Sequence, residues 1–263
     1  MHQNNFLRIK RIIEEGNIVA LTGAGMSEES GIPTFRGNDG LWKKYDPALY
    51  ANIPGLLSTY LVRPYRVNDF VVEIYETVLN ASPNKGHRAL ARFEKEGKFN
   101  GVITQNIDNL HREAGNSNVI ELHGNLFLFR CLKCRRIFQL ESESVREKIN
   151  ILKKERRSRR ALLRFFPRCK CGGLSRPDVV LFGESLREEI LKRAYDEVNK
   201  CSTIIIIGTS GTVYPAADIP FYASRIGKKI IEVNPQTEFN NIADISFREN
   251  VNEFFGRLLS TLL

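Results

Sequence analysis

The chain lacks a long hydrophobic run, is poor in sulfur and indole side chains, and carries no charge excess outside one short segment. Its longest purely aliphatic stretch, Ile204 to Ile207, is far short of the roughly 20 residues a membrane helix needs, so no membrane partner is expected. Near the N-terminus, Arg8, Lys10, Arg11, Glu14 and Glu15 interrupt any apolar leader core. No signal peptide is therefore expected, and the cytoplasm is the expected compartment. Five cysteines in 263 residues are too few for a disulfide framework. Four of them fall in two tight pairs, which suits metal binding in a reducing compartment. The 42% hydrophobic and 26% charged content excludes collagen-like and disordered classes. Acidic residues are outnumbered, 30 against 39 Lys and Arg, for a net charge of +9. Residues 146 to 170 hold eleven Lys or Arg and two Asp or Glu, a net of +9 by themselves, which leaves 28 of each sign elsewhere. The excess belongs to one segment, and that weakens any global argument for nucleic-acid binding.

Short apolar runs alternate with helix-periodic ones. Phe6, Ile9, Ile12 and Ile13 predict an amphipathic helix ending at Gly16, followed by a strand from Ile18 to Leu21. Further buried strands are expected at 101–104, 119–122, 203–207 and 229–233, with helices near 86–97, 107–114, 187–199 and 215–226. Such alternation predicts an α/β fold, a Rossmann-like parallel sheet with helices on both faces. Two segments break the pattern: residues 37–80, irregular and rich in Tyr and Pro and then helical from 67 to 79, and residues 124–177, which hold the cysteine pairs and the basic run. The expected division is a nucleotide-binding domain from 1–36, 81–123 and 178–263, a cofactor loop and helical module at 37–80, and a zinc-ribbon module with a basic insertion at 124–177. In open α/β sheets ligands bind beyond the carboxyl ends of the strands. That directs attention to the stretches that follow the strands: TGAG, TQNID, LHGN, GTSG and VNPQ.

Gly23-Ala24-Gly25 after a strand has the layout of a dinucleotide loop, in which glycine permits close approach of a pyrophosphate and a helix N-terminus follows. It is not GxGxxG, and no acidic residue closes a second strand at the usual distance. The continuation Ser27-Glu28-Glu29-Ser30-Gly31-Ile32-Pro33-Thr34-Phe35-Arg36-Gly37 resembles the signature of the sirtuins, NAD-dependent protein lysine deacylases. Thr104-Gln105-Asn106-Ile107-Asp108, Glu121-Leu122-His123-Gly124, Cys131-x-x-Cys134, Pro177 to Glu184, Gly208-Thr209-Ser210 and Val233-Asn234-Pro235 follow in that family's order. The resemblance covers essentially the whole chain.

It implies NAD as co-substrate, acyl-lysine protein or peptide as partner, and nicotinamide and O-acyl-ADP-ribose as products. His123 is implied as the base that activates a ribose hydroxyl, Asp108 as the holder of the nicotinamide carboxamide, and Asn106 as the group orienting ribose or a water. Gln105 is implied to contact the ribose, and Ile107 to belong to the cofactor set. Phe35 and Arg36 are implied on a mobile loop over the cofactor. Gly208, Thr209, Ser210, Asn234, Pro235 and Gln236 are assigned to the pyrophosphate and adenosine half, and Ser27, Thr34 and Val251 complete the cofactor set. Val180, Leu181, Phe182 and Gly183 are implied to pair, strand to strand, with the substrate peptide. Independently of the family, a neutral imidazole at a strand end suits proton abstraction near pH 7. His2, His87 and His111 are read as structural or surface residues, and Cys201 as a small core hydrophobe.

Cys131, Cys134, Cys169 and Cys171, with 34 residues between the pairs, match a Cys₄ zinc site, although C-x-C is tighter than usual. Four thiolates close the tetrahedral shell, so the zinc is expected to be structural. Gly172-Gly173 would supply its tight turn, and Arg164-Phe165-Phe166 would dock the insertion onto the zinc knuckle. In relatives that remove succinyl or malonyl groups, a Tyr and an Arg stand three residues apart on the helix before Pro83. Here Phe70 to Glu76 contains no arginine, and a negatively charged acyl group would meet Glu73 or Glu76, so neutral acyl groups are expected. The basic run from Lys153 to Arg160 reads first as a solvated helix face and second as a patch for nucleic acid or an acidic partner. The competing readings are a NADase or mono-ADP-ribosyltransferase using the same pocket, and a nucleic-acid-binding zinc module on an idle nucleotide fold.

Overall fold

Period-two alternation along the aliphatic strands decides the architecture. The computed structural model describes residues 2–34 and 40–262; the expected cofactor-loop residues Phe35 and Arg36 lie outside them. Among the described residues the chain begins with α1 (His2–Glu15), β1 (Ile18–Thr22), α2 (Gly25–Glu28), α3 (Leu41–Lys44), α4 (Pro47–Tyr50), α5 (Ile53–Val62), α6 (Pro64–Asn80) and α7 (Lys85–Lys95). It continues through β2 (Phe99–Thr104), α8 (Leu110–Glu113), β3 (Val119–Glu121), β4 (Gly124–Cys131), β5 (Ile137–Gln139), α9 (Ser142–Lys154), α10 (Ala161–Phe165) and β6 (Ser175–Val179). It ends with α11 (Glu188–Lys200), β7 (Thr203–Ile207), α12 (Asp218–Arg225), β8 (Lys229–Val233), β9 (Ile245–Phe247) and α13 (Val251–Leu262).

Ile18 and Ala20 of β1 join one apolar layer with Ile205 and Ile207 of β7, while Val19 and Leu21 join the other with Ile204 and Ile206. A strand apolar on both faces must be covered on both. Phe6 and Ile9 of α1, Leu90 and Phe93 of α7, and Phe254 of α13 cover the first face; Ala194 and Val198 of α11 and Ile219 and Ala223 of α12 cover the second. Each fully buried Leu, Ile or Phe contributes about 1.5–3 kcal/mol of transfer free energy. The strands pair in parallel in the order β3-β2-β1-β7-β8-β9. The chain leaves β1 for β2 on one side and later returns as β7 on the other, so the topological switch point falls between β1 and β7.

The two interrupting segments pack against each other. An antiparallel sheet, β5-β4-β6, carries the cysteines at one end. Val67, Tyr75 and Val78 of α6 share one core with Phe127 and Phe129 of β4, Val145 and Leu152 of α9, and Phe165 of α10. The Tyr75 hydroxyl donates to the Leu126 carbonyl at 2.9 Å. Phe165 thus docks on Tyr75 and Phe129, at ring separations of 5.1 and 6.3 Å, rather than on the zinc knuckle.

Three other expectations change. The stretch read as irregular contains α3, α4 and α5, because Asp46 caps Ala48 N–H and Asn52 caps Gly55 N–H ahead of prolines in the first turn. The helix expected from 107 starts only at Leu110, since Asn109 is left-handed at φ 70°. Only Lys153 and Lys154 of the basic run are helical; residues 155–160 form turns. Lys153 pairs with Glu76 and Arg156 with Asp69, whereas Arg157, Arg159 and Arg160 are exposed with no carboxylate within 4.0 Å among the described residues.

Candidate active site

The loops leaving β1, β2, β7 and β8 surround a cavity of about 1430 Å³ at the switch point. Gly23, Ala24, Gly25, Thr34, Gln105, Asn106, Ile107, Gly208, Thr209, Ser210, Asn234, Pro235, Gln236 and Val251 all line it. The glycines are required by chain packing as well as by any ligand. A Cβ on Gly23 would lie 2.7 Å from the Thr209 Cβ, and one on Gly25 2.8 Å from the Gly208 Cα. The glycine turn and the 208–209 turn therefore touch backbone to backbone, and the helix expected after the glycine turn is the single turn α2. Gln105 Nε2 donates to Thr209 Oγ1 at 2.9 Å, and Asn234 Nδ2 to the Thr209 carbonyl at 3.2 Å. These bonds tie three strand-end loops into one surface.

His123 lines the same cavity. Its Nδ1 lies 2.9 Å from the Gln105 carbonyl. A carbonyl only accepts, so in the neutral ring Nδ1 carries the proton and Nε2 keeps its lone pair. Burial lowers the imidazole below its ordinary pKa, with the Gln105 bond opposing. Asn106 Nδ2 donates to the Gly23 carbonyl and to Ser27 Oγ, both at 3.0 Å, which leaves Oδ1 as its remaining acceptor. Ser27 Oγ in turn donates to Asp108 Oδ2 at 2.6 Å, and Asp108 Oδ1 accepts from Leu110 N–H at 2.9 Å. Ser27 and Asp108 are buried just beneath the lining. Burial pushes the Asp108 carboxyl up, against both hydrogen bonds.

Val180 to Gly183 border the cavity as a turn after β6 rather than as a strand. Val180 N–H donates to the His123 carbonyl, Phe182 N–H to the Ala51 carbonyl, and Leu181 N–H to Glu184 Oε2. A peptide laid here meets mostly carbonyl oxygens. Beyond this turn Val71 and Ile74 of α6, with Leu162 and Phe165 of α10, make an apolar stretch of wall, and Arg135 and Arg176 also line the cavity. The sequence expectation at this wall needs correction. Glu73 turns outward to Lys44 and Tyr45, and Glu76 to Lys153. Neither lines the cavity. The helical period of Val67, Phe70, Val71 and Ile74 on α6 is the sequence signal for this wall.

The Sγ atoms of Cys131, Cys134, Cys169 and Cys171 lie within 4.8 Å of one another. Tetrahedral Zn–S bonds of about 2.3 Å place sulfurs roughly 3.8 Å apart, so the four are positioned to bind one zinc ion. The Cys134 N–H, 3.5 Å from Cys131 Sγ, helps lower that thiol to about 6. Gly172 makes the turn, at φ +79°. Gly173 serves close approach instead: a Cβ there would stand 2.7 Å from Cys131 Sγ.

Buried neutral histidines carry an acid-stability prediction. Burial holds His87 far below its ordinary value and His111 at about 4, and it lowers His123 as well. The unfolded chain protonates these rings near pH 6.5, so below that pH it binds more protons than the folded chain. The stability they contribute is complete above pH 6.5 and is lost as pH falls toward the folded values. At pH 5, His87 and His111 together should cost roughly 4 kcal/mol. Urea melts at pH 7.5 and pH 5 check this, and equal midpoints would contradict it.

The sheet order, the cleft at the switch point and the cysteine module together define a Rossmann-like nucleotide-binding protein with an inserted metal lobe. A family model described as the Sir2 family matches residues 23–215, and the chain belongs to that family, the sirtuins. An "NAD-dependent protein deacylase 1" of Archaeoglobus fulgidus is 44% identical over 95% of both chains. An "NAD-dependent protein deacylase" of Pyrococcus abyssi is 42% identical over 92% of both. Among solved structures, a Sir2 homolog–NAD complex is 41% identical with a TM-score of 0.79, covering 97% of this chain and 93% of that one. A Sir2–p53 peptide–NAD+ complex is 34% identical with a TM-score of 0.76, covering 97% of each. Among the described residues no helix is long and apolar enough to cross a membrane.

Proposed function

We propose that this chain is an NAD-dependent protein lysine deacylase that removes neutral acyl groups, acetyl and longer fatty acyl, and releases nicotinamide and O-acyl-ADP-ribose. The observation that carries the reading is His123, with Nδ1 tied to the Gln105 carbonyl and Nε2 left basic, in the cavity ringed by the glycine turn and residues 208–210. The glycine turn, Thr209 and Asn234 fit a dinucleotide in the donor set they present. When bound, NAD supplies the electrophilic ribose carbon and the nicotinamide leaving group. His123 Nε2 would accept a proton from a ribose hydroxyl, Asn106 Oδ1 would orient ribose or water, and Asp108, just beneath the lining, would hold the carboxamide. Residues 180–183 position the acyl-lysine peptide, and the zinc lobe is structural. The compartment is the cytoplasm, and Arg157, Arg159 and Arg160 suit nucleic acid or an acidic partner.

The acyl preference follows from the apolar wall of Val71, Ile74, Leu162 and Phe165, where an acyl carboxylate would lose water; of the two arginines that also line the cavity, Arg176 is already paired with Glu184 and Arg135 sits in the turn between Cys134 and β5. Mass spectrometry of acetyl-, octanoyl- and succinyl-lysine peptides with NAD tests both claims. Acetyl and octanoyl peptides should be deacylated with one nicotinamide released per lysine freed, and succinyl turnover should be at least about tenfold slower. Nicotinamide release without peptide would favour a NADase or ADP-ribosyltransferase instead.

A further inference from the structure

Behind the cavity lies a chain of buried polar side chains with no part in the mechanism above: Asn84, His87, His111, Thr22 and Thr104. Its proton positions follow from its partners. Asn84 N–H donates to His87 Nδ1 at 3.3 Å, so the proton of neutral His87 sits on Nε2. The Thr22 hydroxyl donates to Thr104 Oγ1 at 2.8 Å. The Thr22 oxygen also lies 3.0 Å from His111 Nε2, and the Asn116 side chain supports the His111 ring against the pull of burial. The rings of His87 and His111 are 4.7 Å apart, and among the described residues His87 Nε2 is buried without a hydrogen-bond partner. Burial keeps both rings neutral. At the far end, Thr104 Oγ1 accepts the Asn106 N–H at 3.0 Å.

We infer that Thr22 and His111 are positioning residues that fix the Asn106 backbone through Thr104. The inference rests on the reading of Asn106 as part of the active centre. With Thr22 donating into one lone pair of Thr104, the other points at Asn106 N–H. Asn106 then places Oδ1 in the cavity and Nδ2 on Ser27. A misplacement of well under an ångström at such a group is enough to slow turnover.

Paired substitutions at Thr22 separate this role from packing. Thr22→Val keeps the shape and removes the hydroxyl; Thr22→Ser keeps the hydroxyl and removes a methyl. The relay predicts kcat lower by about tenfold in Thr22→Val with peptide KM within about twofold, and near-normal kcat in Thr22→Ser. A packing role predicts the reverse order, and that order would overturn the inference. Amide hydrogen exchange at Asn106, read by NMR, gives a second measure that needs no turnover. Protection should fall about tenfold in Thr22→Val and persist in Thr22→Ser; equal protection in both overturns the relay. If wild type fails to deacylate while the exchange pattern holds, the deacylase reading fails and the relay stands. Should Thr22→Val not fold, His111→Gln, which keeps a donor, against His111→Leu, which does not, asks the same question with the same two readouts.

Discussion

His123→Ala is expected to lower acyl-lysine turnover by about 10²- to 10⁴-fold, the range for a lost general base, without loss of fold. The side chain faces the cavity and, among the described residues, makes one hydrogen bond, to the Gln105 carbonyl. Truncation therefore leaves a space that water can enter and a carbonyl that water can satisfy. The pH dependence carries the same signature. A base must be unprotonated to act, and burial lowers this imidazole, so the acid limb of the wild-type rate profile should fall below pH 6.5. Circular dichroism and zinc content should match wild type while product formation collapses. Nicotinamide release that continues unchanged in the variant would remove His123 from its role.

Loss of the zinc should have the largest structural effect. Four thiolates within 4.8 Å of one another repel once deprotonated, and only a cation relieves that. Zinc-peptide affinities correspond to about 10–16 kcal/mol at neutral pH. The cation joins the end of β4 to the turn before β6, and those strands carry Phe127, Phe129 and Val179. Cys131→Ser should therefore bind much less than one zinc per chain and melt about 10 °C or more below wild type. It should also lose turnover, because the Leu162 and Phe165 wall depends on that sheet. A Cys131→Ser protein that melts normally and turns over without metal would show that the four cysteines do not hold the lobe together.

The sheet was readable from Ile18 to Leu21 and Ile204 to Ile207, because strands buried on both faces leave unbroken aliphatic runs, and from Ile230 to Val233, where only Glu232 interrupts one. The site was readable because the polar stretch after each run is where such a sheet binds ligands. β9, three residues long, left no comparable run. What could not be read were relations across long separations. Nothing local tells that a Cβ on Gly23 would strike Thr209, or that Glu76 turns to Lys153. The short helices after Asp46 and Asn52 did carry a local signal, a capping side chain followed by proline, which tyrosine and proline content obscured.

The core shared by α6, β4, α9 and α10 sets an order of assembly. Its first half, Val67 to Val78, precedes its second, Leu126 to Phe165, with α7, β2 and β3 of the large sheet between them. During synthesis Phe70 of α6 can pack at once on Tyr45 and Tyr50, whereas Val67, Tyr75 and Val78 meet their partners only when the ribosome has delivered the metal lobe. A fragment excised at 124–177 would bare Phe129 and Phe165, and one ending near residue 123 would bare Tyr75. The lobe is thus a product of the whole chain, closed only when the residues on both sides of α7, β2 and β3 are present.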